Sequence, residues 1–392
     1  FTPYGPAWSN YFDGSSALTT GSGATFFAGD FTIEFWFMAP SVPSGYDFYF
    51  VDAIGGANNF AIEAYGGILR WVYSGSTVIG SASFTPTAGV WYHIALVRSG
   101  SATNNCTMYV NGTALWQATK TGSVNNSPGP WTIGQAGNST TKFTGYISNF
   151  RVVNGTAIYT SAFTPPTVPL TAIANTSVLT CQSNRFIENS SNAYTISTVG
   201  TPSIQRFSPF NPTSAYSTSV IGGSGYFDGS GDYLYNASSS ILPASGDFTL
   251  EMWIYPTQVS TIQYIFSTGS SGTTPLYLYI TSAAYLGIQT GSGYRDASTT
   301  KITANAWNYI ALTRTGTTYA LYVNGVSQSI AGTGTMSSSF TNTPTYIATY
   351  FSTTSYFAGY MSDVRVSTTI RSISVPTSPY TSDGSTSLLL NM

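Results

Sequence analysis

Charged residues are scarce in this sequence, since only 7% of its 392 residues are Asp, Glu, Lys or Arg. About 25% is usual in soluble domains. The 12 basic side chains balance 14 acidic ones and form no cluster. Nucleic acid is bound chiefly through clustered Lys and Arg, so the composition argues against nucleic acid as a partner. No apolar run reaches the roughly 18–20 residues that cross a bilayer, and we expect no membrane insertion.

Histidine and cysteine are also nearly absent. His93 is the only histidine, which leaves no His/Cys constellation for zinc. In the internal repeat described next, the counterpart of His93 is taken as Asn308, so a Ser/His/Asp arrangement is not expected either. Cys106 and Cys181 have no cysteine counterparts, and we favour two free, buried thiols over a disulfide.

The sequence does contain a long internal repeat. Three segments recur in the same order, namely GDFTIEFWFMAP (29–40) as GDFTLEMWIYP (246–256), WYHIALVRSGSATNNCTMYVNG (91–112) as WNYIALTRTGTTYALYVNG (307–325), and FTGYISNFRV (143–152) as FAGYMSDVRV (357–366). We therefore predict two domains, each large enough for its own core. Their predicted bounds are 1–175 and 176–392, and a connector at 176–210 opens the second domain.

Each repeated segment alternates with period two. Tyr92, Ile94 and Leu96 share one face of a predicted strand, while Ala95 and Val97 share the other. The strand that follows ends at an Asn-Gly pair, which is the strongest short-range hairpin signal. No helical period of useful length occurs. The fold class predicted is all-β, with two tandem antiparallel β-sandwich (jelly-roll) domains.

The order FDGS, GDFTIEFW, WYHIALVR, YVNG, GYISNFRV resembles the laminin-G-like, concanavalin A-like lectin fold, twice over nearly the whole chain. The Ser/Thr-rich composition and the connector SNRFIENSSNAYTISTVG (183–200) are similar to those of tandem modules in marine tailed-phage virion proteins. This second likeness implies an extracellular place, on a virion surface or filament. The fold itself hosts lectins, hydrolases, adhesins and structural modules, so function must come from a site.

Four charged residues lie in the middle of matched strands, and we predict that they form structural ion pairs. Glu34 should pair with Arg151 in the first repeat, and Glu251 with Arg365 in the second. A lone buried carboxylate costs several kcal/mol, so a matched mid-strand Glu should have a cationic partner.

Three tryptophans, Trp8, Trp116 and Trp131, have no aromatic counterpart in the other repeat. Sugars are commonly held by stacking their C–H face on an aromatic ring, and an unmatched Trp near a turn is what a glycan site would add to a shared scaffold. We therefore take these three as glycan-binding candidates. The alternative is that each covers a loop or an inter-domain seam.

The resemblance also implies a metal and bears on catalysis. Relatives of this fold often carry a structural calcium bound partly by an acidic residue in the last matched strand, where this chain has Asp363 in one repeat and Asn149 in the other. Calcium prefers several oxygens and a carboxylate. No other cofactor is expected. Fold relatives that cleave β-glucans carry Glu-x-Asp-x-x-Glu, which this sequence lacks, so we predict a protein that is not an enzyme.

Two functions remain open. The first is an adhesion module of a phage tail or fibre that binds host-surface glycan. The second is a structural decoration or extracellular filament subunit, a homo-oligomer that assembles through loop and terminal-strand contacts.

The two ends of the chain are out of phase with the repeat, since FTPY (1–4) matches FSPF (207–210) and TSLLLNM (386–392) matches TSVLTCQ (176–182). We therefore expect the first domain to lack its N-terminal strand segment. Either the parent chain is longer, or the strand at Leu388–Leu390 fills a slot in a neighbouring subunit.

Overall fold

The structure is a computed structural model that describes residues 7–21, 29–53, 60–73, 77–124, 130–136, 142–206, 223–237, 241–352 and 354–392. These residues form 29 β-strands and no helix, which confirms the all-β prediction. The described part of the chain accordingly contains no helix that could span a membrane. It divides into two compact units, with residues 7–206 in the first and 223–392 in the second.

The first unit is a sandwich of two antiparallel sheets. Its strands are β1 (Ser9–Asp13), β2 (Ala17–Thr20), β3 (Phe31–Met38), β4 (Asp47–Ala53), β5 (Phe60–Tyr65), β6 (Ile68–Tyr73), β7 (Thr77–Ser83), β8 (Tyr92–Arg98), β9 (Cys106–Val110), β10 (Thr113–Ala118), β11 (Trp131–Ile133), β12 (Thr144–Asn154), β13 (Thr176–Thr180), β14 (Ile196–Val199) and β15 (Ser203–Gln205). One sheet has the order β10-β9-β8-β3-β12-β1-β15, with β13 also on β12, and the other has the order β14-β2-β11-β4-β5-β6-β7.

The second unit repeats this plan. Its strands are β16 (Gly225–Asp228), β17 (Leu234–Asn236), β18 (Phe248–Pro256), β19 (Gln263–Thr268), β20 (Leu276–Ile280), β21 (Leu286–Thr290), β22 (Gly293–Ala297), β23 (Asn308–Thr315), β24 (Thr318–Val323), β25 (Val326–Ser327), β26 (Ile330–Ala331), β27 (Thr345–Ile347), β28 (Ala358–Ser367) and β29 (Thr386–Leu390). Its first sheet has the order β16-β28-β18-β23-β24-β25, with β29 also on β28, and its second sheet has the order β17-β27-β19-β20-β21-β22-β26.

The core of each unit lies between its sheets, as β3 illustrates. Phe31, Ile33, Phe35 and Phe37 alternate along this strand and are fully buried, and the Phe37 ring lies 4.5 Å from that of Phe50 in the facing sheet. Burying each such side chain contributes about 1.5–3 kcal/mol. The predicted alternation therefore determines which face of the strand forms the core.

Two Asn-Gly hairpin turns lie at matched positions, as predicted. Asn111 and Gly112 have φ values of 49° and 78°, and Asn324 and Gly325 have 52° and 80°. Two consecutive positive φ values are what a type I′ turn needs. The Asn111 side chain also accepts a hydrogen bond from the backbone N–H of His93, at 2.8 Å.

Both cysteines are free and buried, which agrees with the sequence prediction. Burial raises the pKa of the Cys106 thiol to about 11. Burial also raises the pKa of Cys181 above its ordinary value. Both thiols are therefore protonated and unreactive at neutral pH.

The predicted domain boundary after residue 175 is wrong, because the connector completes the first sandwich. Strand β13 pairs with β12, β14 pairs with β2, and β15 pairs with β1, all within the first unit. The segment thus ends the first repeat, and the prediction that the first domain lacks a strand segment is wrong as well. The repeat alignment could not show this, because it matches segments without showing which neighbouring repeat each one pairs with.

The strand containing Leu388–Leu390 is β29, and it pairs with β28 of its own chain in the register that β13 has on β12. The structure therefore does not support the donation of this strand to a neighbouring subunit. Strands β13 and β29 are equivalent last strands of their first sheets. Among the described residues, only the first unit continues into a second closing pair of strands, β14 and β15.

Candidate functional site

The three predicted glycan-binding tryptophans are all buried, so this assignment is wrong. Trp131 is fully buried, with its ring 5.6 Å from that of Phe60. Trp116 is 8% exposed and donates a hydrogen bond from Nε1 to the carbonyl of Leu69, at 3.1 Å. Trp8 is 2% exposed. A ring inside the protein offers no face to a sugar.

The predicted ion pair of the first unit is present and buried. Arg151 donates to Oε1 of Glu34 from Nε at 2.9 Å and from Nη2 at 2.5 Å. The other oxygen, Oε2, accepts from the hydroxyl of Tyr159 at 2.8 Å and lies 3.2 Å from Nε2 of His93. Burial raises the pKa of Glu34, but the His93 hydrogen bond and the charge of Arg151 outweigh it and hold that pKa below its usual value. The carboxylate is therefore ionised and saturated with partners.

The second unit holds an equivalent pair. Arg365 donates to Oε1 of Glu251 at 2.9 and 2.6 Å, while the hydroxyls of Tyr309 and Tyr380 donate to Oε2 at 2.5 and 2.6 Å. Tyr309 faces Trp253 just as His93 faces Trp36, so the true counterpart of His93 is Tyr309 and the alignment with Asn308 is wrong. Both residues bond to the buried carboxylate, which gives each a structural role.

The two residues expected to bind calcium have other partners. Asn149 and Asp363 are fully buried with φ values of 53° and 49°. Asn149 Oδ1 accepts from the backbone N–H of Leu170 at 2.7 Å, and Asp363 Oδ1 accepts from that of Tyr380 at 3.1 Å. The described residues contain no group of three or more His, Cys, Asp or Glu that could hold a metal. These positions do not fit a cation that needs several oxygens, and calcium stays a prediction without a described set of ligands.

An aromatic surface that the sequence analysis missed lies on the outer side of the second sheet of the second unit. We call it the tyrosine face and define it by Tyr235, Tyr264, Tyr277, Tyr279, Tyr294, Tyr346, Tyr350 and Phe351. The opposite side of the same strands carries Leu276, Leu278 and Ile280, which are fully buried. The alternation along β20 therefore directs leucine and isoleucine inward and tyrosine outward.

Strand register places the tyrosines in two rows across the sheet, because directly paired residues share a face. One row runs through the successive pairs Tyr235–Tyr346, Tyr346–Ser267, Ser267–Tyr277, Tyr277–Gln289 and Gln289–Tyr294. The second row runs from Tyr264 through Tyr279 and Gly287 to Asp296. The rows combine aromatic rings with amide and carboxylate groups.

Ring contacts hold the middle of the tyrosine face in place. The rings of Tyr264 and Tyr350 stack with centroids 4.3 Å apart and an interplanar angle of 24°. Tyr277 meets Tyr350 edge-on at 5.9 Å and lies 6.3 Å from Phe351. Such contacts contribute roughly 0.5–1.5 kcal/mol each beyond simple burial. Tyr277 and Tyr279 are buried, at 9% and 8% exposure, and pack against Tyr264, which is partly exposed.

Gly287 allows a tyrosine to reach across a strand. The hydroxyl of Tyr279 donates to Oδ1 of Asp296 at 2.9 Å, and Gly287 lies between them in the row. A Cβ at Gly287 would lie 2.5 Å from Oδ1 of Asp296 and 2.5 Å from Cε2 of Tyr279. Only glycine leaves room for this contact. Burial, followed by the Asp296 hydrogen bond, raises the pKa of Tyr279, so its hydroxyl stays a donor at neutral pH.

Among the described residues of the first unit, only Tyr49, the counterpart of Tyr264, repeats a tyrosine of this face. The row equivalent to Tyr235, Tyr346, Ser267 and Tyr277 consists there of the consecutively paired residues Thr19, Thr132, Asp52 and Ala61. The comparison of repeats could have found this difference, because LYLYI (276–280) and YLY (233–235) carry tyrosine at every second position.

The fold is a lectin-like jelly roll, present twice. Both units are antiparallel sandwiches with matched hairpins and matched buried ion pairs, and the second unit adds an aromatic outer face. The family model described as "Concanavalin A-like lectin/glucanases superfamily" matches residues 12–162 and again 228–374. The chain belongs to this superfamily, and both units carry its domain.

Similar solved structures have low identity. The mouse laminin alpha1 chain, domains LG4-5, is 14% identical, with 93% of this chain and 90% of that chain covered and a TM-score of 0.33. The CBM40 of the Ruminococcus gnavus IT-sialidase, bound to alpha2,3 sialyllactose, is 20% identical, with 30% of this chain and 73% of that chain covered and a TM-score of 0.26. No curated protein matches the chain significantly.

Proposed function

We propose that the protein is a non-catalytic adhesion module that binds glycan through the tyrosine face of its second unit. The observation that carries this proposal is the pair of aromatic rows, which the second unit adds to a scaffold that it shares with the first. The row of the first unit that is equivalent to the longer aromatic row has Thr19, Thr132 and Ala61 at its tyrosine positions, so the same scaffold forms without these rings.

The chemistry of the face suits a sugar ligand. Aromatic rings pack against the C–H faces of sugar rings, while amide, carboxylate and hydroxyl groups bond to sugar hydroxyls. Tyr294 is 38% exposed and Tyr235 is 55% exposed, so rings are accessible at both ends of the longer row. Asp296 and Gln289 supply polar groups beside the rings.

The proposal of a module without catalysis is supported by the roles of three of the four glutamates, namely Glu34, Glu188 and Glu251. Glu34 and Glu251 are occupied by Arg151 and Arg365. Glu188 accepts the backbone N–H groups of Leu179 and Ser190, at 2.8 and 2.7 Å. Glycoside hydrolysis requires one carboxyl to give a proton and another to attack or activate water. Carboxylates saturated by structural partners are poorly suited to either task.

The proposed setting is an extracellular one, on the tail or fibre of a virion. It rests on the likeness of the Ser/Thr-rich repeats and of the connector at 183–200 to phage virion modules. Immunogold labelling of virions from the source material with antibodies against this protein tests the setting. Labelled tails or fibres are expected, and labelling confined to the capsid interior contradicts it.

The decisive experiment for ligand binding is an oligosaccharide array probed with the wild-type chain, Tyr350→Ala and Tyr294→Ala, because Tyr350 is partly exposed and Tyr294 is 38% exposed. Loss of one stacked ring should weaken binding roughly 2- to 13-fold, from the 0.5–1.5 kcal/mol of an aromatic contact. Tyr226→Ala is the matched control, because Tyr226 is 56% exposed but lies on the other sheet. Equal binding by all variants, or no bound glycan, rejects the proposal.

A structural subunit remains the second candidate function, with self-association into a homo-oligomer. One observation favours it, namely the exposed apolar residues along one edge of the second unit, which include Leu234, 39% exposed. Analytical ultracentrifugation of the wild-type chain tests for the expected oligomer. A monomer at all concentrations rejects this candidate.

A further inference from the structure

The strands that form the second sheet of the second unit contain two charged residues, which are neighbours in β22. They are Arg295 and Asp296. Successive side chains of a strand point to opposite faces of its sheet. Arg295 pairs with Ile288, which is fully buried, whereas Asp296 pairs with Gly287 in the second row of the tyrosine face. The sheet therefore places its negative charge on the tyrosine face and its positive charge on the other side.

Backbone carbonyls bind the guanidinium of Arg295. Its Nη1 donates to the carbonyls of Tyr294 and Thr333, at 2.7 and 3.2 Å, and its Nη2 donates to the carbonyl of Gly334 at 3.4 Å. These bonds hold the side chain at the edge of the sheet, where β22 pairs with β26. Arg295 thus stabilises this edge and supplies no positive charge to the tyrosine face.

A buried tyrosine fixes the position of the Asp296 carboxylate. The hydroxyl of Tyr279 donates to Oδ1 of Asp296 at 2.9 Å, and Tyr279 is only 8% exposed. The ring of Tyr279 packs 5.8 Å from that of Tyr264. A carboxylate accepts hydrogen bonds at both oxygens. Asp296 is half-buried, so it reaches the surface with one oxygen already held by the protein.

An exposed ring lies beside this carboxylate. Tyr294 is 38% exposed and precedes Asp296 by two residues in β22, so both side chains lie on the same face. The direct partner of Tyr294 in β21 is Gln289, whose amide is both donor and acceptor. The Cα atoms of these neighbours are separated by roughly 5–7 Å. A sugar that stacks on the Tyr294 ring therefore has an amide and a carboxylate beside it.

We propose that Asp296 is a specificity-determining residue that restricts the tyrosine face to neutral glycans, an inference that rests on the proposed function of this face. Oδ2 of Asp296 accepts a hydrogen bond from a hydroxyl of the sugar that stacks on Tyr294. The Gln289 amide bonds to a second polar group of that sugar. Tyr279 is a positioning residue, because it acts through Asp296.

Charge explains the selection against acidic glycans. A carboxylate or sulfate group on the sugar meets the like charge of Asp296, and like charges several ångströms apart repel each other even in water. Proteins that bind such groups commonly use Arg or Lys, whereas the strands of this sheet have neither on this side. Specificity of this kind comes from an unfavourable contact with the wrong ligand.

The test uses the full chain on an oligosaccharide array that carries each neutral glycan beside a form with a carboxylate or sulfate group. The wild type should bind neutral glycans and should bind their acidic forms at least roughly threefold more weakly. Asp296→Asn keeps the shape of the side chain and an acceptor for Tyr279 but removes the charge, so this difference should shrink. Asp228→Asn is the matched control, because Asp228 is exposed and lies on the other sheet, and it should keep the wild-type ratio.

Salt provides a second readout that needs no variant. Raising NaCl from about 20 to about 500 mM screens exposed charges, so the wild type should bind neutral glycans unchanged and discriminate less against acidic forms. Equal or tighter binding of acidic forms by the wild type at low salt, or the wild-type ratio in Asp296→Asn, overturns the role of Asp296. If Tyr294→Ala still weakens binding in that case, the proposed function of the face stands. If no glycan binding depends on Tyr294 or Tyr350, the proposed function is rejected, and this inference with it.

Discussion

Arg151 donates two hydrogen bonds to one oxygen of Glu34, from Nε at 2.9 Å and from Nη2 at 2.5 Å. Glu34 is fully buried, and Arg151 is 6% exposed. The pair joins two adjacent strands in the middle of a sheet, since the two residues are direct cross-strand partners in β3 and β12. Arg151 also donates from Nη1 to the carbonyl of Thr171 at 2.8 Å, which fixes the returning chain over this face.

Glu34→Gln should destabilise the first unit by roughly 3–5 kcal/mol, because it leaves the Arg151 guanidinium buried without its counter-charge. Differential scanning calorimetry of the full chain measures this as a lower midpoint for one of two unfolding transitions. Glu251→Gln is the matched control and should lower the other transition. If Glu34→Gln leaves both midpoints unchanged, the pair makes no net contribution to stability.

The pH dependence of the first unit should follow the lowered pKa of Glu34. A carboxyl with a lower pKa in the folded state stabilises the fold above its unfolded value, near 4.5, and loses that contribution as the pH falls through the folded value. The difference in stability between wild type and Glu34→Gln should therefore be constant near neutral pH and shrink below about pH 4.5. Urea titrations from pH 7 to 3 measure it, and a difference that grows on acidification contradicts the assignment.

Gly287→Ala should separate Tyr279 from Asp296 and destabilise the second unit by roughly 1–3 kcal/mol through overpacking. It should also weaken glycan binding, because the second row of the tyrosine face is displaced. Chemical denaturation and the oligosaccharide array report the two effects separately. Gly384→Ala is the control, since a Cβ there meets no atom within 4 Å. Equal stability and equal glycan binding of the two variants would show that the close approach at Gly287 contributes to neither property.

Calcium removal provides a test of the ligand expected at Asp363. Because both carboxylate oxygens of Asp363 accept hydrogen bonds, from Tyr380 N–H and from the Ser362 hydroxyl at 3.0 Å, the second unit should melt at the same temperature in calcium and in EDTA. Asp363→Asn should also be tolerated, since Asn149 occupies the same position in the first unit. A melting temperature that falls in EDTA for the wild type but not for Asp363→Asn would show that calcium binds at Asp363.

The sequence by itself determined the architecture and the buried ion pairs. Alternation along 31–37, the Asn-Gly turns and the matched Glu34 and Glu251 are local patterns or internal repeats, which a single sequence displays directly. The tertiary structure decided which unmatched aromatics are buried, because the exposure of Trp131 or Tyr277 depends on strands far away in the chain. It also decided that residues 176–205 close the first sandwich, since strand pairing is non-local and one segment can satisfy the backbone of either neighbouring repeat.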